Sequence, residues 1–190
     1  MKKYSYLVLI VVVVVLLFLM ISGYRFTALS AANANSFLSN DAELMEEYTT
    51  SSYKIFLFKS DIDKQYQSVL SEKFWLFYRS PLSTNIPYSS DNIQTIGGIS
   101  ITTEDDAATM LSVISHDDEV AYIEAGDEHH TERKNVTKGE RISFLFPFSQ
   151  QIDHLHATAY NQNGKPLYYY GYPKSTNVFR SEDLKWHKID

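Results

Sequence analysis

The sequence contains no cysteine, and this absence excludes several kinds of site. Without a thiol the chain can form no disulfide, no thiolate metal centre, no cysteine nucleophile and no lipid anchor attached through cysteine. The motifs of common enzymes are missing too, since the chain has no G-x-S-x-G, H-E-x-x-H, P-loop or G-x-G-x-x-G pattern. We therefore expect a protein that is not an enzyme, and an envelope hydrolase is the third and least favoured hypothesis.

Basic residues are also few. The chain has 17 lysines and arginines against 23 aspartates and glutamates, a formal net charge of −6. All the acidic residues follow position 24, whereas Lys2 and Lys3 precede it, so residues 25–190 carry a net charge near −8. Negative charge opposes binding to the phosphates of nucleic acid. We expect no nucleic-acid partner.

Charge is absent altogether from a long apolar run, Tyr6 to Ile21. With its uncharged flanking residues this run reaches about the 20 residues that the core of a bilayer requires. Lys2 and Lys3 precede the run and only Arg25 follows it closely, which predicts that the N-terminus lies in the cytoplasm. The sequence thus predicts a single-pass protein of the cell membrane with its C-terminal domain outside.

The apolar run divides the chain into four predicted segments: a cytoplasmic tail (1–5), a transmembrane signal anchor (6–24), a stalk (25–50) and an extracytoplasmic globular domain (51–190). Ala32-Asn33-Ala34 has the A-x-A pattern of a cleavage site, so secretion after cleavage near Ala34 is the alternative. We favour the uncleaved anchor because this pattern lies well beyond the apolar run. An exported domain without cysteine is typical of Gram-positive bacteria.

Aromatic residues are abundant: Tyr, Phe and Trp make up 14% of the chain, which suits a core rich in strands. Apolar and β-branched runs predict strands at 53–59, 74–78, 99–102, 120–124 and 143–148. Apolar residues at helical spacing predict helices at 41–48, 61–72 and 103–114. In the last of these Thr103 is the predicted cap, and one face carries Ala107, Met110, Leu111 and Ile114. Near the C-terminus Val178-Phe179, Leu184 and Trp186 predict a last short strand. We predict the α+β class, a mostly antiparallel β-sheet with one or two helices on one face, preceded by the transmembrane helix. A β-sandwich is the alternative if 61–72 is not helical.

Residues 154–172 have the pattern of a β-hairpin. Asn163-Gly164 is the preferred central pair of a two-residue type I′ turn, because both positions need positive φ. This turn predicts three cross-strand pairs: Thr158 with Tyr169, Ala159 with Tyr168 and Tyr160 with Leu167. Small residues would then face large aromatic rings on one side of the hairpin, and we assign that side to the core. Its members are Leu155, Ala157 and Ala159 against Tyr172, Tyr170 and Tyr168.

The opposite side of the hairpin supplies a predicted interaction surface, formed by Tyr160, Leu167 and Tyr169. Pro166 lacks an N–H group, which predicts that the second strand lies at a sheet edge near the turn. Exposed aromatic residues beside an edge strand favour the binding of another protein. The alternative is that another part of the same domain covers them.

The histidines form the only cluster that suggests a metal. His154 and His156 would share one strand face, close enough to bind one ion. With a third ligand such as His130 they predict a zinc or copper site. The simpler interpretation is that both are half-exposed strand residues without a ligand, since H-x-H is a weak pattern.

The leading functional hypothesis is an accessory, regulatory or immunity-type factor that acts by protein–protein interaction in the cell envelope. A cytoplasmic tail with two lysines cannot signal alone, so any output must pass through a partner in or outside the membrane. An extracytoplasmic domain that binds zinc or copper is the alternative, and otherwise we expect no cofactor.

Overall fold

Antiparallel strands make up most of the chain. The computed structural model describes residues 2–104, 106–175 and 178–189, with side chains from Tyr6 onward. Its two α-helices are α1 (Lys2–Ile21) and α2 (Ala28–Asn33). The first strands are β1 (Glu43–Thr49), β2 (Tyr53–Ser60), β3 (Gln65–Phe74), β4 (Phe77–Pro87), β5 (Ile93–Thr102) and β6 (Ala107–Ser115). The others are β7 (Tyr122–Gly126), β8 (Thr131–Asn135), β9 (Arg141–Phe146), β10 (Thr158–Tyr160), β11 (Pro166–Gly171) and β12 (Lys185–Lys188).

The strands form three sheets. Sheet A has the order β1-β2-β3-β4, sheet B the order β5-β6-β9, and sheet C the order β12-β11-β10-β7-β8. All the pairs between neighbouring strands are antiparallel. Antiparallel sheets with two helices agree with the predicted α+β class in its broad sense.

Sheet B lies between the other two sheets. On one side Ile99 and Met110 pack with Ile55 and Leu70 of sheet A. On the other side Leu111 belongs to the largest apolar cluster, which also contains residues of sheet C. Because β6 is covered on both faces, nearly all of its residues are buried. A strand in this position needs apolar or small residues at every position rather than at alternate ones.

The outer face of sheet A is covered by helix α2. Ala28 and Ala32 pack against Phe56, Phe58 and Val69, and the small side chains let the helix approach the sheet closely. The hydroxyl of Thr27 caps the helix by accepting a hydrogen bond from the backbone N–H of Ser30. The prediction that 25–50 is a stalk is therefore wrong: α2 and β1 are packed parts of the fold.

The predicted helices at 41–48, 61–72 and 103–114 are wrong, because these segments form β1, β3 and β6. In 103–114 the residues that suggested a helical face were Ala107, Met110, Leu111 and Ile114. The same spacing fits a strand buried on both sides, with Met110 facing sheet A and Leu111 facing sheet C. Thr103, predicted as a helix cap, instead closes the turn between β5 and β6, since its N–H donates to the carbonyl of Asp106. Asp105, in the same predicted helix, lies outside the described residues.

The predicted strands fare better. Residues 53–59, 99–102, 120–124 and 143–148 overlap β2, β5, β7 and β9. The segment 74–78 is not a strand but a turn, with Phe74 ending β3 and Phe77 beginning β4.

The C-terminal hairpin forms with the predicted core face. Leu155, Ala157, Ala159, Tyr168 and Tyr170 are all buried in one cluster. Tyr172, the sixth predicted member, is only half-buried and meets Phe179 instead, because β11 ends at Gly171. Two of the predicted pairs are confirmed, Thr158 with Tyr169 and Ala159 with Tyr168.

The turn of this hairpin differs from the prediction. Gly164 has a positive φ of 77°, whereas Asn163 does not have one. The carbonyl of Asn161 accepts a hydrogen bond from the N–H of Gly164. The N–H of Asn161 donates a hydrogen bond to the carbonyl of Lys165. This is a three-residue loop with a bulge rather than a two-residue turn, so Tyr160 pairs with Pro166 instead of Leu167.

Helix α1 contains the apolar run of the sequence. Most of its described side chains are exposed, and none belongs to a core cluster. Across the part of the chain that the structure describes, no helix is long and apolar enough to cross a membrane. The structure therefore does not support the predicted transmembrane helix.

Candidate functional site

The predicted histidine pair does not lie on a strand. His154 belongs to a 3-10 turn, Ile152–Leu155, and His156 follows it with a left-handed φ of 48°. Both side chains are exposed, and the His154 Nε2 atom lies 3.7 Å from a carboxylate oxygen of Asp153. The prediction of two histidines on one strand face is wrong because β10 begins only at Thr158.

His130 lies in the turn between β7 and β8. Its Nε2 atom is 3.6 Å from a carboxylate oxygen of Glu132, and its ring meets Phe146 and Phe148 edge-on at 6.1 Å. Among the described residues, no group of three or more His, Cys, Asp or Glu side chains is placed to hold a metal ion. The zinc or copper site at His154, His156 and His130 stays a prediction, without the strand geometry on which it rested.

The predicted interaction surface is not an open apolar patch. Leu167 is buried, and Tyr160 stacks on Tyr122 with ring centroids 5.0 Å apart. Tyr169 stacks on His187 with ring centroids 5.3 Å apart, and the Nζ atom of Lys174 lies 4.5 Å from the centre of the Tyr169 ring. Strand β11 pairs with β10, and from Tyr168 to Gly171 it also pairs with β12. It is therefore an interior strand over most of its length, while Pro166, near the turn, has no partner in the described part of β12. Neighbouring side chains of the same domain therefore cover the two tyrosines in part.

A different feature has the form of a binding site: a cleft where the end of β4 and the start of β5 meet β11 and β12. Its volume is about 610 Å³, within the range of small-ligand and side-chain pockets. Aromatic and aliphatic side chains supply most of its wall: Ile86, Pro87, Tyr88, Ile93, Tyr170, Leu184 and Trp186. Polar side chains stand at intervals among them: Asn85, Ser89, Asp91, Gln94, Thr95, Ser181, Glu182 and Lys185.

Tyr170 and Trp186 form the floor of this cleft. They are cross-strand partners in β11 and β12, and their ring centroids lie 5.6 Å apart. The indole N–H of Trp186 donates a hydrogen bond of 3.1 Å to the hydroxyl of Thr95 on β5. This bond fixes the ring and joins sheet C to sheet B. Burial raises the pKa of Tyr170 to about 12, so its hydroxyl stays neutral at physiological pH.

The opposite wall is held by Tyr88. Its ring lies 4.7 Å from that of Tyr66, and its hydroxyl donates a hydrogen bond of 3.1 Å to Asp61. Burial and the neighbouring Asp61 carboxylate raise the pKa of Tyr88. The Gln94 side chain donates to the carbonyl of Ser89, which keeps the loop after β4 against the start of β5.

These residues were not predicted as a site. Tyr170 was recognised from its alternation as a core residue, and Trp186 as part of a last short strand. Tyr170 and Trp186 pair because β12 lies beside β11, whereas Thr95 lies on β5 of sheet B and Tyr88 directly follows β4 of sheet A. No local pattern in the sequence predicts that these four residues lie together.

A second cavity of about 730 Å³ is a shallow polar depression. It lies between the turn after β6 and the hairpin loop, and its lining includes Asp117, Asp118, Lys138 and Asn161. The Nζ atom of Lys138 lies 2.6 Å from the carboxylate of Asp118, an exposed ion pair of the kind that contributes little. Open, polar and charged, this depression is a weaker binding site than the aromatic cleft.

The floor of the cleft is apolar, and the amide and hydroxyl groups on its walls can form hydrogen bonds with a bound molecule. Asp91, Glu182 and Lys185 add charged groups to its lining. Comparison with known proteins finds no protein family, no curated protein and no solved structure that this chain matches.

Proposed function

We propose that this protein is a single-pass, membrane-anchored extracytoplasmic factor that binds a protein of the cell envelope. In this proposal helix α1 is the anchor, and the outer domain holds an extended segment of the partner in the aromatic cleft. The role is accessory, regulatory or immunity-type, because the short cytoplasmic tail cannot carry an output.

The anchor rests on the sequence and on the exposure of α1. With Tyr4 and Ser5 before it and Ser22 to Tyr24 after it, the apolar segment reaches about the 20 residues that a bilayer core requires. Most of the described side chains of α1 are exposed apolar groups, which normally acquire a cover in the assembled state. The guanidinium of Arg25 donates to the carbonyls of Met20 and Tyr24 and so satisfies acceptors at the end of this helix.

The single observation that carries the binding function is the cleft formed by Tyr88, Tyr170 and Trp186. An aromatic floor with spaced hydrogen-bonding groups is the usual composition of a recognition pocket. Strand β12 borders the cleft and is the outermost strand of sheet C. An extended peptide can add to such an edge and place an apolar side chain in the neighbouring pocket.

Site-specific photo-crosslinking in intact cells tests the proposal. A photoreactive residue at Lys185, on the rim of the cleft, is compared with the same residue at Lys165, an exposed position on the hairpin loop. We expect an adduct with one defined envelope protein from position 185 and none from position 165. Leu184→Asp, which places a carboxylate on the cleft wall, should remove the adduct. Equal labelling from both positions, or labelling that survives Leu184→Asp, would contradict the proposal.

The partner segment found in the adduct then allows a direct measurement. In a Trp75→Phe variant the emission of Trp186 reports on the cleft alone, because the chain has two tryptophans. Titration with the matching synthetic peptide should change that emission and saturate. If the emission stayed constant while the peptide bound, the peptide would have to bind outside the cleft.

Topology is tested separately. Protease added to intact protoplasts should degrade the domain, and fractionation should leave the full-length chain in the membrane pellet. Recovery from the medium of a mature form that begins at Asn35 would favour the secreted alternative.

A further inference from the structure

The turn between β3 and β4 carries an exposed apolar tip, Phe74-Trp75-Leu76-Phe77. Trp75 is 79% exposed, Leu76 65% and Phe74 56%. Four consecutive large apolar residues at a hairpin tip are unusual, because such turns normally carry Gly, Asn or Asp. The tip is therefore an exposed apolar patch rather than a scattered surface residue.

The backbone of this turn is also unfavourable for its residues. Trp75 has a left-handed φ of 55°, a conformation that is uncommon for a bulky side chain. Glycine or asparagine would form the turn at lower cost. A strained position that keeps a tryptophan suggests a role for the side chain itself.

The tip is tied to the end of helix α1. Arg25 and Tyr78 form an isolated antiparallel bridge, in which each N–H donates to the other's carbonyl at 2.8 and 2.7 Å. The ring of Tyr24 lies 5.6 Å from that of Phe74, and Phe26 lies 5.3 Å from Phe77. The chain that leaves α1 is thus held directly against the hairpin, so the tip is placed at the level where the helix ends.

We infer that the Phe74–Phe77 tip, with Tyr24 and Phe26, inserts into the headgroup region of the membrane that holds α1. This inference rests on the proposed function, since it requires the anchor. Tryptophan and tyrosine prefer the interface between bilayer and water, where the ring is apolar on one side and hydrated on the other. Two exposed cations follow the tip on its two strands: Lys73 directly precedes Phe74, and Arg79, ion-paired with Glu72, lies two residues after Phe77. Side chains of this kind can reach lipid phosphates from beside an inserted apolar group.

Insertion of the tip has a consequence for the domain. A single helix leaves a domain free to rotate about its connection, whereas a second contact with the bilayer fixes its tilt. The bridge between Arg25 and Tyr78 makes the two contacts one rigid unit. The tip therefore sets the orientation in which the outer domain meets its partner.

Tryptophan fluorescence tests the insertion on the full chain in phosphatidylcholine vesicles. With Trp186→Phe, Trp75 is the remaining tryptophan of the two. We expect its emission to shift to shorter wavelength, to be quenched by brominated phosphatidylcholine and to lose most of its quenching by aqueous iodide. The matched control is Trp75→Phe, in which Trp186, only 6% exposed, should respond to neither quencher.

A second pair of variants avoids any change in the cleft. The chain has no cysteine, so Leu76→Cys and Asn163→Cys each accept one polarity-sensitive dye, at the two hairpin loops of different sheets. We expect the dye at position 76 to report an apolar environment and the dye at position 163 to report water. The same spectrum at both positions would overturn the inference.

Flotation of the vesicles separates the two proposals. A chain that floats, but whose Trp75 stays open to iodide and is not quenched by brominated lipid, contradicts the insertion and leaves the anchor intact. A chain that does not float contradicts the anchor, and the insertion falls with it.

Discussion

The hydroxyl of Tyr168 donates a hydrogen bond of 2.7 Å to the carboxylate of Asp117. It joins β11, in sheet C, to the turn that follows β6, in sheet B. The same hydroxyl accepts a hydrogen bond of 3.0 Å from the side chain of Asn92. One tyrosine thus ties two sheets together at the end of their shared core.

This contact makes stability depend on pH in a predictable direction. Burial raises the pKa of Asp117, but hydrogen bonds from Tyr168 and from the Glu119 N–H, with Lys188 and Lys138 nearby, outweigh it and lower the pKa below 3.8. A carboxylate with a lowered folded pKa stabilises the fold fully above its unfolded pKa, and this contribution is lost as the pH falls through the folded value. The stabilisation therefore disappears only in the acid range, below about pH 4.

We predict that Tyr168→Phe lowers the free energy of unfolding by about 1–2 kcal/mol at pH 7, the range of a hydrogen bond to a charged group that is partly exposed. The difference from the wild type at pH 7 should be larger than at an acid pH below the lowered pKa of Asp117, where the carboxyl group is protonated. Urea unfolding of both proteins at the two pH values measures it. Tyr169→Phe is the control, because its hydroxyl makes two long hydrogen bonds and none to a charged group: it donates to the carbonyl of Tyr172 at 3.4 Å and accepts from the N–H of Lys174 at 3.3 Å. A Tyr168→Phe difference that is the same at both pH values would show that the Asp117 bond contributes nothing.

The core face of the hairpin leads to a second prediction. Tyr170 is 8% exposed and packs on Trp186 in the largest apolar cluster. Tyr170→Ala should lower the free energy of unfolding by roughly 3–5 kcal/mol, the usual cost of removing a core aromatic ring. Tyr169→Ala, on the half-buried opposite face, should cost about 1 kcal/mol. Urea unfolding of both variants is the measurement. If the two variants lost the same free energy of unfolding, the face of Tyr170 would be no more deeply packed than the face of Tyr169.

The histidines give a third prediction, which also tests the metal alternative. His154 and His156 are exposed, so replacing both should change the free energy of unfolding by about 0.5 kcal/mol or less. His156→Asn is the suitable partner of His154→Gln, because asparagine tolerates the left-handed φ at position 156. Thermal unfolding of both proteins with and without zinc is the measurement. We expect no dependence on zinc; a melting temperature that rises with zinc in the wild type and not in the double variant would make the histidines ligands.

How far the sequence predicted this fold depends on how each strand is buried. The hairpin faces were predictable because Asn163-Gly164 marks the turn, and the pairing that it implies sets Ala157 and Ala159 against Tyr170 and Tyr168. Strand β6 was not, since it is buried on both faces and its apolar residues fit a helix equally well. Only the presence of sheets on both sides distinguishes the two, and that is a property of the whole fold.

The cleft could not be predicted from the sequence for the same reason. Tyr170 and Trp186 were each assigned to a strand, but the cleft exists because β5 brings Thr95 against the indole. The interaction surface at Tyr160 and Tyr169 stays a prediction, but their partial cover was not foreseen for a similar reason, because Tyr122 and His187 come from strands whose positions the hairpin pattern does not contain. The pairing of two strands in a hairpin is set by residues close in sequence. Which other strands cover the two faces of that hairpin is set by residues far away in sequence.

The turn after β7 supplies the last prediction. Gly126 has a φ of 146°, and a Cβ atom at this position would lie 2.0 Å from the carbonyl oxygen of His130 and 2.8 Å from the Cα of Thr131. Both are backbone atoms, held in place because the N–H of Asp127 donates to that same carbonyl. Neither can move aside without opening the turn between β7 and β8.

We therefore predict that Gly126→Ala lowers the free energy of unfolding by more than about 2 kcal/mol, since steric overlap adds to the strain of a positive φ. Gly164→Ala is the matched control: its φ is also positive, at 77°, but its nearest neighbour would be the Tyr122 hydroxyl at an ordinary 3.7 Å. It should cost only about 1 kcal/mol, the backbone penalty alone. The urea midpoints of the two variants provide the comparison.

The overlap at Gly126 should also weaken the strand pairs next to it, because β7 lies between β8 and β10. Faster amide hydrogen exchange in β8 of the Gly126→Ala variant would reveal this weakening. Equal midpoints for the two variants would mean that the turn at 126–131 relaxes freely and that its backbone contacts contribute nothing to holding sheet C together.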